Sequence, residues 1–320
     1  EWAASPYPAS GKTCQTCHMP RFANLAAAAV APPDESYDRP LPDRVHVDHS
    51  TLGVDTAYWD ASAPVELQAA RATAHLKTAA QIVLDVPPTV EPGSVVTITV
   101  TMTNSGTGHD LMTGFGFWRE AWLEVVVTDA GGRVLLASGQ LDEDGWLADE
   151  FSPRVRADPD LYDPYLVQLR TRLVRCQANV AAWLQADGTV VVPEEAIRRN
   201  RNGTPVFSWA EFDAAPIVAR LAGTVSRGAG EIAPLEEVYV LRYADALVKN
   251  GLPAGASRRA SYPVPVDASA SGPVRVSARL LLRAMGRQMT QQQEEISDDP
   301  PIGPVYELAT AQATVRVVGR

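Results

Sequence analysis

The sequence predicts a mainly β chain: an irregular N-terminal segment with one helix, then an antiparallel β-sandwich of the immunoglobulin or fibronectin kind with insertions. Three observations predict it. Apolar residues alternate with period two at 82–86, 95–102, 122–128 and 274–282, the spacing of half-buried strands. Proline and glycine turns separate those runs, and the 25 prolines are spread along the 320 residues, which favours short strands over long helices. Clear helical spacing appears in the first half only at 63–80.

Composition narrows the function classes. Hydrophobic residues make up 46% and charged residues 21% of the chain, as in a globular protein with a core. The net charge of −10 argues against a nucleic-acid partner, which would require a basic face. No run approaches the ~20 apolar residues of a membrane span, and the stretch 26–31 is short and alanine-rich.

In chain order, residues 1–60 read as irregular, with Pro32, Pro33, Pro40 and Pro42 among acids and turns. Such a segment buries too little of itself to fold alone. In the helix at 63–80, Pro64 suits the first turn and Val65, Leu67, Ala70, Ala74 and Leu76 form the stripe. His75 lies near its C-terminal end and reads as structural or solvent-facing. Strands come next at 82–86 and 95–102, and 122–128 with 133–137 reads as a hairpin about the Asp129–Gly132 turn. Residues 140–235 read as an irregular insertion, with a strand-like run at 166–174 and short helices at 195–199 and 210–221. Strands return at 236–243, 274–282 and 309–318. The expected division is 1–80 for a cofactor-binding segment and helix, and 81–320 for the sandwich.

The cofactor expectation comes from Cys14-Gln15-Thr16-Cys17-His18. Two cysteines separated by two residues and followed by histidine form the attachment pattern of a c-type haem. The thiols add to the two porphyrin vinyl groups, and the adjacent imidazole becomes the proximal ligand of the iron. A redox dithiol or half of a zinc site competes with this reading. A zinc site would want a second Cys/His pair, and only Cys176 remains, with no histidine near it. Cys176 itself reads as a small buried side chain, with an intermolecular disulfide as the alternative. Haem c is attached outside the cytoplasm, so the chain is expected to be exported, to the periplasm or the cell surface.

The sixth iron site has a short set of candidates. The other histidines are His46, His49, His75 and His109, and the thioethers are Met102, Met112, Met285 and Met289; Met19 adjoins His18 and cannot reach the opposite face. His109 lies in Asn104-Ser-Gly-Thr-Gly-His-Asp-Leu-Met-Thr-Gly114, where flanking glycines would let the backbone approach a planar ligand. The plain alternative is a solvated histidine in a hairpin loop.

Residues 14–20, Asp48-His49, the glycine-flanked His109 loop through Gly114, Arg119, and Trp122-Leu-Glu-Val-Val125 resemble the multihaem cytochromes c that end in a β-sandwich. Asn250–Gly255 and residues 272–283 resemble that family's closing strands. In the family the histidine is followed by Leu-Pro-Thr-Gly; Met112 stands at the proline here. The Cys-x-x-Cys-His-Met-Pro and Asp-His pairing also resembles the pentahaem nitrite reductases. The resemblance implies His109 as distal ligand of the haem on His18, and His49 as ligand of a neighbouring haem. A single attachment motif departs from that pattern. A second haem would come from another chain or a missing upstream portion, and without one His49 becomes an alternative distal ligand.

Three functions compete. The favoured one is an electron carrier with one bis-histidine haem c, docking to redox proteins or other haem-bearing subunits. The second is a haem enzyme with an open axial site, acting on peroxide or a nitrogen oxide, with Asp110 and Arg119 as candidate acid–base groups. The third is a β-sandwich binding module anchored by haem, with the acidic loops at Asp142, Glu143, Asp144, Asp158 and Asp160 as candidate Ca²⁺ ligands; the plain alternative, and the commoner one, is solvated loops.

Overall fold

The structure, a computed structural model, describes residues 1–19, 21–26, 45–47, 53–54, 65–114, 116–149, 151–176, 198–199, 205–208, 235–237, 246–287, 289 and 304–319. It is mainly β. The strands are β1 (Arg21–Ala26), β2 (Val45–Val47), β3 (Gln81–Asp85), β4 (Thr89–Val90), β5 (Val95–Thr103), β6 (Glu120–Thr128), β7 (Val134–Ser138) and β8 (Val167–Leu169). They continue as β9 (Thr171–Cys176), β10 (Arg198–Arg199), β11 (Pro205–Ser208), β12 (Leu235–Glu237), β13 (Ala246–Lys249), β14 (Ser257–Pro265), β15 (Val274–Arg283) and β16 (Tyr306–Val317). The α-helices among the described residues are α1 (Cys14–His18), α2 (Val65–Leu76) and α3 (Pro153–Ala157).

Two sheets face each other across one core. The first has the order β14-β5-β3 and the second β4-β16-β15-β6-β7, with β8 beside the start of β6. In β5 the inward side chains Val96, Ile98, Val100 and Met102 are buried, while threonines alternate outward. Their partners from the second sheet include Leu123, Val125, Val127, Val276, Leu280 and Val315. Removing such apolar surface from water is the main favourable term in holding the layers together. The β6–β7 hairpin forms as expected, with Gly132 at φ +86 and the Asp129 carboxylate accepting the Gly131 and Arg133 N–H groups at 2.9 Å.

Two expectations change. The region 140–235 is not merely irregular: β9–β13 form a separate sheet in the order β10-β11-β13-β9-β12, and β11 runs parallel to β13. Arg198 and Arg199, expected in a helix, pair with Val206 and Pro205, because tertiary pairing overrides the weak local preference of a short run. The outer face of the second sheet is also covered in part: Trp122, Leu147 and Leu281 form a second buried cluster. The segments 210–221 and 238–243 lie outside the described residues.

Beside that cluster sits a buried ion pair. Glu120 and Arg283 oppose each other across β6 and β15, with side chains 2% and 1% exposed. The guanidinium also donates to Gly145 O at 2.6 Å and lies over the Trp122 ring. Arg283→Met would leave the Glu120 charge buried alone. It is expected to cost about 3–5 kcal/mol, read as a lower urea midpoint, with the Glu120→Leu/Arg283→Met double substitution recovering most of the loss.

Candidate haem site

The attachment residues occupy one turn of helix. Thr13 precedes α1 in extended conformation and its N–H donates to Thr16 Oγ1 at 3.1 Å. Helical spacing sets Cys14, Cys17 and His18 on neighbouring positions of one face. All three line a cavity of about 550 Å³, within the range of pockets that enclose cofactor-sized molecules. Neither thiol is in a disulfide.

The opposite wall is the loop 104–114 at the end of β5. Its anchor is Asn104, which is 0% exposed. The Asn104 amide donates to His109 O and Leu252 O, both at 2.8 Å, and its Oδ1 accepts from Thr107 N at 3.2 Å. The Thr107 hydroxyl lies 2.7 Å from Asn104 Oδ1 and 2.6 Å from His109 O, its one proton serving one acceptor at a time. Leu111 and Leu252 then exchange backbone hydrogen bonds. His109 is thus held by its own carbonyl. Its Nδ1 contacts Asp110 O at 3.0 Å; a carbonyl only accepts, so Nδ1 carries the proton and Nε2 presents the lone pair.

The two walls meet at their imidazoles. The His18 and His109 ring centres are 6.2 Å apart with planes 16° from parallel. Two in-line bonds of about 2 Å from imidazole nitrogens to a metal, with each ring centre about 1 Å behind its nitrogen, put ring centres about 6 Å apart. The separation of these stacked rings matches that of two imidazoles bound in line to one metal. Among the described residues no three His, Cys, Asp or Glu side chains are grouped to hold a bare ion. Two imidazoles and two thiols on a cofactor-sized cavity fit a metal that brings its other ligands with it, as in a porphyrin.

His75, read as structural or solvent-facing, lines the cavity, its ring 5.4 Å from His18. Partial burial first, and the His18 and His109 imidazoles second, hold its pKa below the usual value. The loop glycines make room for protein, and Gly106, Gly108 and Gly114 also line the cavity. A Cβ on Gly106 would fall 1.7 Å from Thr78 O, and one on Gly108 would meet Trp2 at 3.1 Å and Tyr7 at 3.3 Å. In the acidic loops, Asp142 Oδ1 accepts from Asp144 N and Trp146 N, and Asp158 Oδ1 from Asp160 N.

The remaining candidates are dispersed. Of the thioethers, Met112 lines the cavity, and so do Asp110 and Arg119; Met102 belongs to the sandwich core. His46 lies in β2, and His49 lies outside the described residues. Cys176 is on β9, opposite Leu235. The part played by the N-terminal arm escapes sequence reasoning: Glu1 accepts from Asp110 N and the Thr113 hydroxyl, and Tyr7 OH donates to Ser105 O. Only the local aromatic content of that arm hints at it.

Gly106→Ala drives a methyl into the Thr78 carbonyl and is expected to cost about 1–3 kcal/mol in urea unfolding. Gly131→Ala, where the nearest atom is 3.4 Å from the added carbon, should stay within about 0.5 kcal/mol.

No protein-family model and no curated protein matches the chain. Among solved structures it is similar to a penta-heme cytochrome c552 from Thermochromatium tepidum, with 16% identity, a TM-score of 0.43, and coverage of 97% of this chain and 49% of that one. The chain spans about half the length of that cytochrome, and so slight a likeness carries no argument about function.

Proposed function

We propose that the chain is a c-type cytochrome subunit that transfers electrons through one covalently attached, bis-histidine haem. The observation that carries the reading is the 6.2 Å, near-parallel His18–His109 pair, set on the same cavity as Cys14 and Cys17. The bound haem would supply one-electron iron chemistry. Cys14 and Cys17 would hold it through thioethers. His18 and the Nε2 atom of His109 would be the axial ligands. Leu76, Leu111, Met112 and Leu282 line the cavity and would keep water from it, which raises the potential relative to a wet site.

The placement of His109 favours a filled sixth position over the open one an enzyme would need. Redox proteins or other haem-bearing subunits are the proposed partners, met outside the cytoplasm. Among the described residues no helix is long and apolar enough to cross a membrane. His49 would ligate a neighbouring haem where one is supplied.

Haem should remain with the wild-type polypeptide on a denaturing gel and be lost from the Cys14→Ser/Cys17→Ser variant. The reduced wild-type optical spectrum should be low-spin and indifferent to carbon monoxide. His109→Ala is expected to become high-spin and to bind carbon monoxide. A low-spin, unreactive spectrum in that variant would remove His109 as distal ligand and shift the assignment to His49.

A further inference from the structure

His75 is a third imidazole on the cavity, and the electron-transfer reading gives it no task. Its ring centre lies 5.4 Å from that of His18, with the planes crossed at 62°. That is an edge-to-face contact, closer and more steeply crossed than the His18–His109 pair. The contact is delivered from a fixed point. The Thr78 hydroxyl and N–H both donate to His75 O, at 2.7 and 3.0 Å. Gly106 N donates to Ala79 O at 3.0 Å, and the neighbouring Leu76 is buried in the sandwich core. The end of α2 is therefore held by the core and by the same loop that carries His109.

We propose that His75 is a positioning residue for His18: its ring sets the rotation of the His18 imidazole and so keeps the two axial planes near parallel. The proposal rests on the bis-histidine reading. An imidazole bound to a metal turns easily about the metal–nitrogen bond, so its plane is chosen by what flanks it, as outer contacts orient metal ligands elsewhere. The plane has an electronic consequence. Each axial imidazole interacts through its π system with the iron d orbital selected by its plane. Parallel planes add their effects and separate the two d orbitals; crossed planes cancel and bring them together. The principal g values of low-spin ferric haem report that separation directly.

The test is the electron paramagnetic resonance spectrum of the haem-loaded ferric protein as wild type, His75→Ala and His75→Phe. Wild type is expected to show three well-separated g values. His75→Ala should keep its six-coordinate optical spectrum while its largest g value rises and the pattern moves towards that of crossed planes. His75→Phe retains a flat ring without nitrogens and should restore the wild-type pattern. Identical g values in wild type and His75→Ala would overturn the proposal, as would His75→Phe behaving like the alanine variant. Where alanine fails to load haem, His75→Leu, which fills the space without a planar edge, takes its place in the same comparison. A wild-type spectrum that is not six-coordinate low-spin would instead sink the bis-histidine reading, which separates the two failures.

Discussion

The cavity depends on one buried amide. Asn104 ends β5, and its side chain has two donors and an acceptor that all find partners at the corner of the sandwich: His109 O, Leu252 O and the Thr107 N–H. Its backbone is tied as well, with N donating to Ala256 O and O accepting from Gly255 N. A buried polar group with unmet hydrogen bonds costs about 1–3 kcal/mol, so the loop has little freedom to take another path. It is this satisfied network that turns a glycine-rich stretch into a rigid mount for an imidazole. A loop of the same composition without it would leave His109 solvated.

The same corner couples the imidazoles to each other. Gly106 seats the loop against Thr78, which caps the end of α2 one residue past Lys77. His75 and His109 therefore share one support although they are far apart in sequence. His18 arrives from a third direction, on an arm pinned by Glu1 and Tyr7. The site is a meeting of three segments, set by hydrogen bonds of Asn104, of Glu1 and Tyr7, and of Thr78.

How much of this is legible in the sequence depends on the range of the forces involved. Strands such as β5, β6 and β15 are legible because one face is buried and the side-chain period is two. Cys14, Cys17 and His18 stand out in the sequence because their spacing is local chemistry, and His109 because glycines and a family resemblance draw attention to it. His75 is not, since its alanine-rich helix gives no hint of where its end docks; that is decided by the contact of Gly106 with Thr78. The protein partners of Gly106 and Gly108 are hidden for the same reason: a glycine announces close approach without naming what approaches. The sheet of β9–β13 is hidden because short runs pair over long separations, and the parallel β11–β13 contact has no turn to signal it.

The proximal arm has one further property. None of the residues in its three short turns, Trp2–Ala4, Pro8–Ser10 and Cys14–His18, is buried. Its hydrogen bonds to the loop at 104–114 include exposed ones, at Glu1 and Tyr7, and exposed hydrogen bonds open at little cost. On the proposed haem reading, Cys14 and Cys17 would lie on an arm whose loosening leaves the sandwich core intact. A cofactor joined both to that arm and to His109 would tie two distant points of the chain together, and the closure entropy of the intervening loop would be met by the metal–ligand bond.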